Sequence, residues 1–145
     1  TEKRKELKMK VDVLIEMGLD CTFDVYFKKE KEDNLSFGLL GQGNTVNEAI
    51  EDFLISMEDM KELFVEKGKK FPDNLECVFK YDVPSFLAYY KGKLSLSGLG
   101  KLTGINPKQL NHYVTGVRKP SPKTVKKIEK SLHEFGKELS QVQFA

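Results

Sequence analysis

Residues 94–120 read Leu94-Ser95-Leu96-Ser97-Gly98-Leu99-Gly100-Lys101-Leu102-Thr103-Gly104-Ile105-Asn106-Pro107-Lys108-Gln109-Leu110-Asn111-His112-Tyr113-Val114-Thr115-Gly116-Val117-Arg118-Lys119-Pro120. The spacing predicts two short helices and a tight turn. Ser95 can cap a helix over about 96–103 by accepting a bond from a free N–H of its first turn. Gly104 ends that helix, where the turn needs a residue at ease with positive φ. Asn106 can cap the next helix, and Pro107 takes its first position, where a missing N–H costs nothing. That helix runs to about Thr115 and stops at Gly116. Gly100 puts a small residue where the two helices touch, and Ile105, Leu110 and Tyr113 hold the second one down. This is the spacing of a helix-turn-helix. The polar residues left over, Lys108, Gln109, Asn111 and His112, project from the other side of the second helix. The start of such a helix is the part that reaches base edges in a major groove. Asn and Gln amides match adenine bidentately, and Lys reaches guanine or a phosphate. Ser95, Thr115, Arg118 and Lys119 fall where the phosphates would lie.

The flanks extend the helical pattern. Ser121 and Pro122 open a last helix whose apolar residues, Val125, Ile128, Leu132, Phe135 and Leu139, recur at three and four. Upstream, Asp82 and Pro84 open a short helix with Phe86, Leu87 and Tyr90 on its inner face. Residues 82–145 hold 11 Lys/Arg against 4 Asp/Glu, a balance of +7, while residues 1–81 hold 13 against 18, a balance of −5. The overall +2 hides this split. A basic half suits an anionic polymer. Phe135 and Leu139, with Val142 and Phe144 beyond, exceed what so small a core needs. They read as a dimer contact, expected where a protein reads two half-sites one helical turn apart.

Before residue 82 the period changes from helical to two. Val11, Val13 and Ile15 alternate with polar neighbours, Gly18 to Asp20 can turn, and Phe23, Val25 and Phe27 form a second strand. The charged run Lys28 to Asn34 reads as a hairpin loop. Leu35, Phe37 and Leu39 read as a third strand that stops at Gly41-Gln42-Gly43, where flexible backbone is needed. Thr45 and Glu48 make a capping box. The helix behind it, about 46–67, carries Val46, Ala49, Ile50, Phe53, Leu54, Met57, Met60, Leu63 and Phe64 and ends at Gly68. Leu75, Cys77, Phe79 and Tyr81 give a fourth strand. The expected fold is α+β: a β-β-β-α-β module over 8–81, with one sheet and the helix on one face, then an all-α helix-turn-helix domain over 82–145.

Composition narrows the function. The chain has 145 residues, 39% apolar and 32% charged, a soluble globular balance. No apolar run approaches the roughly 18 residues a membrane span needs, and the charged opening, Thr1 to Lys10, is no secretory leader. Cys21 and Cys77 are far apart, which excludes a disulfide framework or a zinc-finger array and fits a reducing cytoplasm. Both fall in predicted strands as small buried residues. His112 and His133 have no second ligand one turn away, so no metal is expected, and no nucleotide-binding loop calls for a cofactor. A two-metal nuclease needs converging carboxylates. Asp12, Glu16, Asp20 and Asp24 share the first hairpin, but Asp12 and Glu16 face away from its apolar side, so no catalytic residues and no enzyme are expected. The acids of the long helix, Glu48, Glu51, Asp52, Glu58, Asp59, Glu62 and Glu66, form a solvated face or a surface for a basic partner.

Two resemblances follow from these residues. Residues 83–135, including the Gly116-x-Arg118-Lys119-Pro120 ending, resemble the repressor-type (XRE or Cro/C1-like) helix-turn-helix family. The segment Asn34 to Phe71, with Gly41-Gln42-Gly43-Asn44-Thr45-Val46-Asn47-Glu48-Ala49, resembles the HicB-type antitoxin family. In that family a β-β-β-α-β unit, a partial RNase H-like fold, carries such a signature at the helix entry, and a helix-turn-helix often follows. The resemblance implies a cytoplasmic antitoxin that binds operator DNA, represses its own promoter and holds a HicA-type mRNA-cleaving toxin, as a homodimer or higher homo-oligomer. A stand-alone repressor built from the same modules, and a helical module used only for protein contact, are the alternatives.

Overall fold

The computed structural model describes residues 8–28 and 35–145, and the chain divides into two compact units, Thr1–Asp82 and Val83–Ala145. The first is a mixed α/β unit. Its strands are β1 (Met9–Met17), β2 (Phe23–Phe27), β3 (Leu40–Gly43) and β4 (Leu75–Tyr81), with helix α1 (Val46–Glu66) between the last two. They form one sheet in the order β3-β2-β1-β4. β1 runs antiparallel to β2, β2 antiparallel to β3, and β4 parallel to β1. A crossover helix is what permits the parallel pair. Alternation decides the faces: Val11, Val13, Ile15, Phe23, Val25 and Phe27 are buried beneath α1, together with Ala49, Phe53 and Met57 from the helix. Full burial of side chains of this size stabilises by roughly 1.5–3 kcal/mol each.

The helix starts as the capping box requires. The Thr45 hydroxyl accepts from Glu48 N–H at 3.1 Å, and the Glu48 carboxylate accepts from Asn44 and Thr45 N–H at 2.8 and 3.3 Å. Gly68, at φ +65°, follows its C-cap. The buried stripe is narrower than the periodicity suggests, because Leu54 and Leu63 are exposed. The helix settles so close to β3 that Ala49, Phe53 and Met57 take the centre of the contact.

Two readings of this unit are corrected. β3 is not the segment Leu35 to Leu39; it begins at Leu40 and contains both glycines. Leu35, Phe37 and Leu39 keep their inward alternation and pack on the core, with Phe37 against Phe27, Phe64 and Phe71. Among the described residues the register of β2 with β3 runs from Tyr26–Leu40 to Phe23–Gly43 and does not reach these three. The glycines supply proximity rather than flexibility. A Cβ on Gly41 would lie 2.3 Å from Ala49 O and from Phe53 N, and one on Gly43 would lie 2.6 Å from Ala49 N. The second correction is Cys21, which is exposed and lies in the β1–β2 turn at φ +63°, not buried in a strand. The turn leaves that residue outside the ladder, and Gly18 O accepts its N–H. Cys77 is in β4 and half-buried; burial pushes its thiol pKa up, and the nearby Lys61 partly offsets this. The loop expected over 28–34 lies outside the described residues apart from Lys28.

The hairpin carboxylates each have their own partner. Asp12 meets Lys80 Nζ at 2.8 Å, and Asp20 accepts from Thr22 N–H and hydroxyl, which holds its pKa below the usual value. Asp24 accepts from the Gln42 amide at 2.9 Å, and Glu16 accepts from the Tyr26 hydroxyl. That last bond, with burial and the nearby negative charges, pushes the Tyr26 pKa up to about 12.

The second unit contains α2 (Val83–Tyr89), a 3-10 turn (Tyr90–Gly92), α3 (Leu96–Thr103), α4 (Pro107–Val114) and α5 (Pro122–Ser140). Leu87, Leu99, Leu110, Tyr113 and Ile128 form its buried centre, one or two from each helix. No helix among the described residues is long and apolar enough to cross a membrane.

Candidate nucleic-acid interface

The site is a turn and the helix it launches. α3 is capped by Ser95, whose hydroxyl accepts from Gly98 N–H at 3.0 Å. It ends at Gly104, which adopts φ +72° while its N–H returns to Gly100 O at 2.9 Å. Gly100 is where the two helices touch: a Cβ there would sit 2.9 Å from Pro107 Cγ and 3.0 Å from Ile105 O. The Asn106 side chain accepts from Lys108 N–H at 2.8 Å, and Pro107 opens α4. Leu110 and Tyr113 are buried and Ile105 packs beside them. With these residues held beneath the helix, Lys108, Asn111 and Thr115 are left on its exposed surface, one turn apart from each other.

The four residues expected to read bases do not all stand alike. Lys108 and Asn111 are exposed. Gln109 is half-buried, and its amide donates to the Tyr113 hydroxyl at 3.2 Å. His112, expected to be exposed, is half-buried; its Nδ1 is fully buried with no hydrogen-bond partner among the described residues. Just beyond it Gly116, at φ +76°, turns the chain, and Arg118 N–H donates to His112 O at 3.2 Å. The Thr115 hydroxyl donates to Asn111 O at 3.0 Å, a C-terminal cap that also keeps it at the surface. Arg118 and Lys119 are exposed beyond it, and Ser95 is exposed at the entry of α3.

One cation was not singled out from the sequence. Lys127 of α5 brings its Nζ to within 3.7 Å of where a Cβ on Gly104 would stand, so α5 adds a positive charge at the turn itself. The available signal was its place beside Ile128, the buried anchor of α5, in a helix start that carries Lys123, Lys126 and Lys127 without an acid. At the other end of α5, Leu139, Val142 and Phe144 are 53%, 51% and 95% exposed, so the apolar tail is not used by the core.

A helix-turn-helix family model matches residues 91–134, from the 3-10 turn into α5. That match makes this stretch a helix-turn-helix and supports its reading as a repressor-type, DNA-binding one. The sheet unit lies outside the matched stretch. No curated protein and no solved structure matches the chain.

Proposed function

We propose that the chain is a DNA-binding transcriptional regulator of the antitoxin-repressor kind. α4 enters the major groove with Lys108 and Asn111 against base edges, while Gln109 and His112 border the contact. Ser95, Thr115, Arg118, Lys119 and Lys127 meet phosphates. The observation that carries this is the exposed polar face of α4, in a stretch, residues 82–145, of net charge +7, within a matched helix-turn-helix. The HicB-type reading of the sheet unit is supported by its β-β-β-α-β order and by the Thr45–Glu48 cap. In that reading the acidic unit holds a basic HicA-type toxin, and two copies join, with the α5 tail as one contact, to read two half-sites. No step of this function calls for catalysis, a metal or a cofactor.

The stand-alone repressor reading has one observation behind it. A solvent-open hollow of about 570 Å³ lies at the end of α1, lined by Met57, Lys61, Val65, Lys69, Phe71 and Leu75, where a small effector would sit. The test has two arms. A gel shift of the full chain with the duplex upstream of its own reading frame should show binding that weakens with salt, by about 0.9 in the log–log slope for each phosphate contact. No shift at low salt would leave the helical module as a protein contact. Co-purification with the product of the neighbouring reading frame separates the antitoxin from the stand-alone repressor.

A further inference from the structure

The two edges of the sheet are built differently. β3 is four residues long, and α1 covers its outer polar groups: Gln42 N–H donates to Asp52 at 2.8 Å, and Leu40 O accepts from the Ser56 hydroxyl at 3.3 Å. β4 is seven residues, Leu75-Glu76-Cys77-Val78-Phe79-Lys80-Tyr81, without Gly, Pro or bulge. The bond from Met9 N–H to Asn74 O at 2.7 Å, with Met9 facing Leu75, fixes the phase of the β1–β4 ladder. Glu76, Val78 and Lys80 turn their backbone groups towards β1. Leu75, Cys77 and Phe79 turn theirs outward, where no described residue bonds them. A long, largely apolar strand whose outer edge no described residue pairs with is a template for another strand.

We infer that the β4 edge pairs with β4 of a second copy, antiparallel about a two-fold axis at Val78. The occupant follows from the strand's own sequence. Outward-facing residues can exchange bonds only with outward-facing residues, so the axis must fall on a residue and not between two. An axis at Val78 sets Cys77 opposite Phe79, Leu75 opposite Tyr81 and, on the face away from α1, Glu76 opposite Lys80 twice. Opposite charges directly across a strand pair attract, and like charges repel. Moving the axis to Phe79 sets Glu76 against Asp82. Moving it to Cys77 sets Glu76 against Val78 and Lys80 against Asn74, with no charge pair. Lys80 already meets Asp12 on its own chain, so its ammonium would lie between two carboxylates. The result is a continuous eight-stranded sheet, within the ordinary range, in an assembly that carries two recognition helices.

The pairing is independent of the DNA-binding reading and of any contact through the α5 tail. The two copies of Val78 face each other as a non-hydrogen-bonded pair, with Cα atoms about 4.5 Å apart, close enough for a disulfide. In the full chain with Cys21→Ser and Cys77→Ser, the further change Val78→Cys should give a cross-linked dimer on a non-reducing gel, whereas Gln42→Cys on the covered edge should stay a single chain. Glu76→Lys or Lys80→Glu alone should weaken dimerisation at least tenfold by sedimentation. An equal mixture of those two variants should restore it, because each opposed pair then regains opposite charges. Monomer at the highest soluble concentration would overturn the inference. So would a dimer that Val78→Cys fails to trap, or a mixture no tighter than either variant.

Discussion

Gly41 in the sheet unit and Gly104 in the helical unit do opposite things. Gly41 has no use for unusual dihedrals; it is needed because α1 lies where its Cβ would be, against the backbone of Ala49 and Phe53. Gly104 has room for a Cβ, which among the described residues would meet the flexible end of Lys127 at 3.7 Å, but its φ of +72° is one that side chains resist. The first is a packing requirement between elements distant in sequence, and the second is a requirement of one turn. A turn can therefore be read from a few neighbouring residues, whereas a close approach shows itself only once the fold is assembled.

The largest effect should come from filling Gly41. Gly41→Ala overlaps backbone that cannot move aside, so it should cost about 3 kcal/mol or leave the sheet unit unfolded, read by a chemical-denaturation curve of the full chain. If it melts like the parent, the claim of contact between α1 and β3 fails. Next, Asn111→Ala should leave folding untouched and weaken binding to a preferred duplex by about 1–3 kcal/mol. Gly104→Ala should cost about 1 kcal/mol of stability, and Gly104→Asn should cost less, because Asn tolerates the left-handed region. At Gly41 the order should reverse, Asn being worse than Ala. The smallest effect concerns pH. The Tyr26 pKa is raised from 10.0 to about 12, so its protonated form contributes stability that is fully present below about pH 10 and lost as pH rises towards 12. Ultraviolet titration should show a late phenol assignable to Tyr26, which Glu16→Gln brings earlier.

The helical unit was legible nearly residue by residue, because caps and turns are local. Ser95, Gly104, Asn106, Pro107, Gly116 and Ser121 sit where their chemistry demands. The sheet unit was legible in element order, with β1, β2, β4 and α1 where alternation and the Thr45 cap put them. Its β3 was misplaced because Leu35, Phe37 and Leu39 alternate like a strand, while the ladder with β2 among the described residues takes in Leu40 to Gly43. Cys21 was misplaced because nothing in its neighbours announces a positive φ. Within the interface, spacing told which side of α4 faces out. It did not tell that Tyr113 offers its hydroxyl to Gln109, or that His112 is half-buried with its Nδ1 covered. Lys127 was invisible at the turn because it reaches there from another helix, α5.

The most direct test measures the free face of α4. The full chain and its Lys108→Ala, Asn111→Ala double variant are titrated by fluorescence anisotropy against duplexes that the parent selects from a random pool, with thermal melts alongside. The double variant should melt like the parent and lose at least tenfold in preference for the selected duplex over an unrelated one. A double variant that discriminates as well as the parent would contradict the assignment of α4 as the helix that reads DNA.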